Sequence, residues 1–207
     1  ESTKLRLNKN PFSLRKSMDN MKEITPSQTV GPFFAYGITA EQYGYGYTQI
    51  ANGNLIRNKK IQGDRIYLSG RVFDGAGNAV PDAVIEIWQC DGAGSYSNPS
   101  FFGFGRVGTG TTPDNSFEFE TVRPGKIEGQ APHINVIILM RGLLTHAFTR
   151  MYFSDEDSAN QKDPILNSVP TERRRTLIAQ KVEESQRTEY HFDIYMQGER
   201  ETVFFEF

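Results

Sequence analysis

Apolar and polar positions begin to alternate at residue 64, where DRIYLSGRVF sets Ile66, Leu68 and Val72 on one side and Tyr67, Ser69, Arg71 and Phe73 on the other. A period of two predicts a strand with one buried face. Further β-rich runs follow at 83–90 (AVIEIWQC), 116–122 (SFEFETV), 133–140 (HINVIILM), 146–153 (HAFTRMYF), 189–196 (EYHFDIYM) and 201–207 (ETVFFEF), each bounded by Gly, Pro or polar clusters. Seven short strands so punctuated predict an all-β sandwich, not alternating β/α units. The turn-rich DGAGNAVPDA between the first two reads as a hairpin-like connection. Residues 154–163 and 170–182 predict two short helical or turn segments, the second starting at Thr171 with Glu172 in its first turn. No repeat of fixed period is present.

Upstream of residue 64 the pattern dissolves. Residues 1–22 are polar and basic, with apolar residues too sparse for a periodic face, and predict an arm ahead of a domain at 23–207. In TPSQTVGPFF at 25–34, Pro26, Gly31 and Pro32 exclude both a helix and a central strand, so the segment is expected to lie extended over a surface. Residues 37–63 carry five glycines and three tyrosines without a period and predict a long irregular loop of functional or interface importance.

Composition narrows the classes. The 23 basic and 25 acidic residues nearly cancel, with no like-charged block longer than Arg173-Arg174-Arg175, which argues against a nucleic-acid or membrane-surface protein. A lone cysteine, Cys90, excludes an intrachain disulfide and fits a reducing cytoplasm. No apolar run approaches the roughly 20 residues that span a bilayer.

Three histidines (His133, His146, His191) leave few ways to build a metal site. On a strand, His-x-His would put two imidazoles on one face. Here that spacing reads His133-Ile134-Asn135, and a neutral amide is a poor ligand. No Gly-x-Ser-x-Gly elbow occurs, and Cys90 lies in the apolar Trp88 strand, where an inert buried thiol is expected. The glycines of FFGFGRVGTGT lack a following Lys-Ser/Thr and read as a loop turn. Arg150 shares its strand face with Phe148 and Tyr152, a setting that suits a planar carboxylate or an aromatic ring, or else an arginine reaching from a strand edge to solvent or to an acid.

An ordered set of motifs adds to this reading: TPSQTVGPFF at 25–34, GRVFDGAGNAVPDAVIEIWQCDGAGSY at 70–96, FFGFGR at 101–106, TVRPG at 121–125, APHINVIILMRG at 131–142, TRMYFSDE at 149–156 and the tail from Phe192. Together they resemble the intradiol ring-cleaving dioxygenases. The resemblance implies an intradiol-dioxygenase-type β-sandwich with long loops and one or two short helices.

In the two-chain, protocatechuate-cleaving branch of that family, only the β-type chain holds iron(III), through two tyrosines and a His-x-His pair. Tyr96 falls at the first tyrosine and His133 at the first histidine, Asn135 replaces the second histidine, and Lys126-Ile127-Glu128-Gly129 stands where the second tyrosine is due. The resemblance therefore implies an α-type chain without metal or catalytic residues of its own, paired with a homologous β subunit that carries Fe(3+). It implies that Thr29, Gly31 and Pro32 line the partner's pocket and that Arg150 approaches the substrate. The implied reaction opens 3,4-dihydroxybenzoate with O2 to 3-carboxy-cis,cis-muconate, in the β-ketoadipate pathway of aromatic catabolism. The competing readings are a single-chain catechol-type dioxygenase with unusual ligands and a non-enzymatic sandwich binding module.

Overall fold

A computed structural model describes residues 25–56, 61, 63–183 and 185–206; the arm expected at 1–22 lies outside them. Strands form where alternation is cleanest. β1 (Arg65–Phe73) buries Ile66, Leu68, Gly70 and Val72 and turns Tyr67, Ser69, Arg71 and Phe73 outward. β2 (Val84–Trp88), β4 (Ser116–Val122), β5 (His133–Leu139) and β6 (Ala147–Phe153) also fall in the expected runs.

Two strands arise where the sequence predicts none. β3 (Phe104–Gly108) occupies the glycine-rich stretch read as a loop turn. Gly105 is there for packing, since a Cβ would sit 2.6 Å from a Leu55 methyl. β7 (Ile178–Lys181) follows the expected helical turn, α4 (Thr171–Arg174), after a 3-10 turn at Arg175–Leu177. Conversely, EYHFDIYM splits into β8 (Glu189–His191) and β9 (Ile194–Tyr195). The break lies where the Phe192 carbonyl crosses so close over Gly70 that no Cβ would fit. The tail from Glu201 forms no strand within the described residues, although Thr202 N–H donates to the Tyr195 carbonyl (2.9 Å) and Phe205 N–H to that of Phe148 (2.8 Å).

Among the described residues the nine strands run in the order β3-β2-β5-β6-β7-β8-β1-β4, with β9 beside β1. The pairings are antiparallel except β6–β7, β1–β8 and β1–β9. The hairpin expected between β1 and β2 closes early, at Phe73 and Ala79, after which β2 pairs with β3 and β5. Short β7 thus joins two faces, β3-β2-β5-β6 and β8-β1-β4, whose inward side chains meet in one core. Ile66 and Leu68, Phe117 and Phe119, Ile85 and Ile87, and Ile134, Val136 and Ile138 all belong to it. This is the expected sandwich.

The irregular stretch after residue 34 closes the open seam. It contains α1 (Phe34–Ile38) and a 3-10 turn at Ala40–Tyr43. The Gln42 amide pairs with both the N–H and the carbonyl of Gly108 on β3, each at 2.7 Å. Further on, Asn52 O accepts from Arg106 N–H (3.2 Å), and Glu120 of β4 exchanges bonds with Gly53 O (2.7 Å) and Leu55 N–H (2.9 Å). Both edge strands are thereby capped. Two further short helices, α2 (Asp157–Asn160) and α3 (Pro164–Ser168), follow β6. Among the described residues no helix is long and apolar enough to cross a membrane.

One charged network ties the two faces at the end nearest the site. Arg123, just past β4, holds Asp155 bidentately (2.8 and 3.0 Å), meets Glu156 (3.1 Å) and donates to the Tyr190 hydroxyl of β8 (2.7 Å). Burial alone would raise the Asp155 carboxyl, but the hydrogen bonds from Arg123 and Tyr190 outweigh it and bring the group from 3.8 to about 2. Folding thus favours the ionised acid. Its stabilisation is complete above pH 4 and is lost as pH falls from near 4 through about 2. Arg123→Met should remove about 1–2 kcal/mol at neutral pH and flatten this acid limb. Urea midpoints between pH 2 and 7 check this, and parallel curves for the two proteins would count against it.

Candidate functional site

The outward face of the β3-β2-β5-β6 sheet carries a row of directly opposed residues: Phe104, Trp88, Asn135 and Arg150. Their inward neighbours, Gly105, Ile87, Val136 and Thr149, belong to the buried side. Because successive strand residues alternate faces, His133 joins Asn135 on the outer side.

Tyr96 reaches this row from the loop after β2, its ring stacked on Trp88 at 5.7 Å and 17°. The loop is built around Asp91, whose Oδ1 accepts from Ala93 and Ser95 N–H (2.9 Å each) and whose Oδ2 accepts from the Asn98 amide (2.7 Å). Gly94, at φ +82°, presses against the Lys126 carbonyl, and Gly125 N–H donates to Asp91 O (2.9 Å). The Arg-Pro-Gly turn and the Tyr96 loop therefore fix each other. Trp88 and Tyr96 remain 40% exposed each and, with residues 97–102, wall a cavity of about 600 Å³.

His133 is buried and its Nδ1 donates to the Ala131 carbonyl at 2.8 Å, which leaves Nε2 as the free nitrogen of the neutral ring. Burial pushes its pKa down. Burial also raises the Tyr96 hydroxyl, although its bond with Asn135 and the nearby Arg150 charge pull the other way. The Asn135 Nδ2 donates to Trp88 O at 3.3 Å.

Arg150 Nη1 donates to the Gln130 side-chain carbonyl at 2.8 Å, and the guanidinium charge lies near the Tyr152 hydroxyl. That hydroxyl in turn donates to Asp163 Oδ1 (3.1 Å). Fully buried Asp163 accepts as well from Ala131 N–H (2.8 Å) and, as the N-cap of α3, from Leu166 N–H (2.8 Å). Gln130, Tyr152 and Asp163 are members of this network that the strand pattern does not reveal. Asp-Pro at 163–164 is a capping signal, but nothing local ties it to residues 131 or 152.

The structure thus gathers Tyr96, His133, Asn135 and Arg150, and places Thr29, Gly31 and Pro32 elsewhere. Thr29 Oγ1 accepts from Gly142 N–H (2.8 Å) in the β5–β6 turn, and Gly31 opens the exposed turn into α1. The Asn135–Arg150 pair lies three residues back along the ladder from Ile138–Ala147, about 10 Å from the turn's side of the sheet. His146 is exposed beside that turn, and His191 pairs with Asp193 (3.0 Å) on the other face.

Tested against iron(III), the pocket does not fit. Its donors are Tyr96 and His133 alone, since Asn135 supplies an amide. The Ile127–Gln130 bridge closes a tight turn through Glu128 and Gly129 where a second phenolate is due. Among the described residues no group of three or more His, Cys, Asp or Glu is placed to hold a metal.

Comparison with known proteins supplies the rest. The model of the family described as "Dioxygenase" matches residues 38–198. The chain is 50% identical over 198 residues to the protocatechuate 3,4-dioxygenase alpha chain of Burkholderia cepacia, spanning 91% of this chain and 100% of that one. It is 30% identical over 166 residues to the beta chain from the same organism, covering 70% and 69%. An intradiol ring-cleavage dioxygenase from Tetranychus urticae shares the fold, with a TM-score of 0.58 at 19% identity over 83% of this chain and 94% of that one.

Asp163→Ala would strip the acceptor from three donors and should cost about 3 kcal/mol, with Asp163→Asn losing less. Urea denaturation reads this directly; an unchanged midpoint would show that the carboxylate does not organise the site.

Proposed function

Since the chain belongs to the intradiol dioxygenase family, we propose that it is the metal-free, α-type subunit of a protocatechuate 3,4-dioxygenase, working beside a homologous β-type chain that holds the iron. The observation that carries this reading is the donor set on β5: His133 is kept and Asn135 stands at the second ligand position on an otherwise intact scaffold. A single-chain catechol-type enzyme would need the ligands this site lacks. A binding module would not account for identity running along nearly the whole alpha chain.

In the assembled enzyme the iron supplies the activation of the catechol for ring opening by O2, giving 3-carboxy-cis,cis-muconate in the cytoplasm. This chain's part is to complete the substrate pocket and the assembly. Thr29, at the β5–β6 turn, and Gly31 and Pro32, at the turn into α1, are all exposed and are proposed to line the partner's pocket. Arg150 is the proposed recognition group for the substrate's carboxylate. Among the described residues its hydrogen bond is to the neutral Gln130 amide, and no carboxylate forms an ion pair with it.

Expressed alone, the chain should be colourless and inactive towards protocatechuate, because two donors cannot hold iron(III). Co-expression with a homologue bearing two tyrosines and His-x-His should restore both colour and activity. Stoichiometric iron with a tyrosinate charge-transfer band in the lone chain would refute the assignment. In the two-chain complex, Arg150→Ala should lower kcat/KM about 10- to 150-fold at unchanged iron content. Steady-state kinetics equal to the parent complex would remove Arg150 from substrate recognition.

A further inference from the structure

Where β9 runs beside β1, the chain encloses a cavity of about 330 Å³ between the 3-10 turn after α4, β9 and the tail, lined by Arg175, Thr176, Asp193, Tyr195, Arg200 and Thr202. That volume lies at the small end of ligand pockets. Hydrogen bonds tie its walls together. Tyr195 N–H donates to Thr202 Oγ1 (3.0 Å) and Thr202 N–H to Tyr195 O (2.9 Å), so the tail is clamped to β9. Val203 N–H donates to Thr176 Oγ1 (3.2 Å) and Arg173 Nη2 to Glu201 O (2.9 Å), which clamps the tail to the turn.

The charges in this frame do not cancel. Arg175 and Arg200 come from two different elements, and among the described residues neither has an ion pair or a side-chain hydrogen bond. Arg200 is held by a ring instead: its guanidinium lies over Tyr195 at 4.3 Å, and Tyr195 is stacked on Phe73 (4.9 Å, 13°). Stacking fixes the guanidinium plane and leaves its N–H edge for an acceptor. The carboxylate in the wall, Asp193, is already engaged. Its Oδ1 accepts from the Arg71 backbone N–H (3.0 Å) and meets His191 Nε2 (3.0 Å), with the Arg71 side chain 3.9 Å away. Buried Thr202 adds a hydroxyl whose proton has no acceptor among the described residues. Two guanidinium groups lining one cavity repel each other until an anion lies between them.

We propose that this cavity is a binding site for a small dicarboxylate dianion, Arg175 and Arg200 each taking one carboxylate while the Tyr195 ring packs against the carbon chain between. A lone phosphate would match the charge but leave the ring wall uncovered. The assignment goes beyond the two-chain reading and does not rest on it.

Succinate is the probe, titrated by calorimetry into the two-chain complex while the visible band of the partner's iron is followed. Binding at the iron pocket would shift that band, whereas binding at this cavity leaves it unchanged. Arg175→Gln and Arg200→Gln should each weaken succinate about 10- to 100-fold, through loss of charge-assisted hydrogen bonds. The double variant should not bind at millimolar succinate. Arg200→Lys keeps the charge but loses the planar fork and should weaken binding about 10-fold. Acetate, with one carboxylate, should bind at least about 10-fold more weakly than succinate. Both arginines are exposed, so the variants should keep the parent's urea midpoint. No succinate binding by the parent complex, or equal binding by the double variant, would overturn the proposal. Inorganic phosphate as tight as succinate, and lost in the same variants, would overturn it too by showing a site for a tetrahedral oxyanion. If no complex forms, the two-chain reading fails, and the same titration of the full chain alone still decides the cavity.

Discussion

The arrangement around this site depends on one buried carboxylate. Asp163 has no contact with solvent, and a buried acid must find donors or cost several kcal/mol. It finds them on three elements: the first turn of α3, the residue that leads into β5, and Tyr152 on β6. Those bonds fix how the chain enters β5 and therefore where Gln130 and His133 stand. They also fix Tyr152, whose hydroxyl lies near the Arg150 guanidinium, while Gln130 accepts that guanidinium's hydrogen bond. The carboxylate thus sets the position of the cation without touching it, and the outer row inherits its geometry from a helix cap 13 residues downstream of Arg150 in the chain.

Much of the fold is legible because one rule governs it: strands with one buried face alternate. β1 obeys that rule through its whole length and β4 as far as Thr121, where Thr121 and Val122 are both buried, and the bounds of both follow from the sequence almost to the residue. The rule fails where a residue serves a neighbour and not its own strand. Gly105 reads as a turn former, yet it makes room for Leu55, a residue 50 positions away. Gly70 reads as a neutral member of β1, yet it admits the Phe192 carbonyl where the run at 189–196 breaks into β8 and β9. Ile178 continues a helical-looking segment until the edge of β6 offers it parallel partners. In each case tertiary contact overrides local propensity.

The site divides in the same way. Asn135 is legible from spacing alone, because i and i+2 share a face on any strand. That Tyr96 stacks on Trp88, and that the Arg-Pro-Gly turn pins the Tyr96 loop through Gly94 and Asp91, requires the folded chain. The flanking aromatics of Arg150 are visible in HAFTRMYF, but its actual partners are not. Gln130 lies 20 residues before Arg150 in the chain, just ahead of β5, and Tyr152, read as a flanking aromatic, acts through its hydroxyl, which donates to Asp163. The aperiodic sequence of residues 37–63 predicts an irregular loop with a functional or interface role. Its observed contacts are those of a clasp, with Gln42 and residues 52–55 sealing the gap between β3 and β4.

The placement of the row explains how the outer face can change its chemistry without a change of fold. Phe104, Trp88, Asn135 and Arg150 project outward, and the side chains that bury the core from the same strands are their immediate neighbours in sequence. Exchanging a ligand on the outer side leaves Ile134, Val136 and the inner surface untouched, so the stability cost of the change is that of a half-exposed substitution, not of a core cavity. Stability and chemistry are thus carried on opposite faces of the same strands. Related chains can then diverge on the outer face alone. The fold they share is preserved by the core positions between.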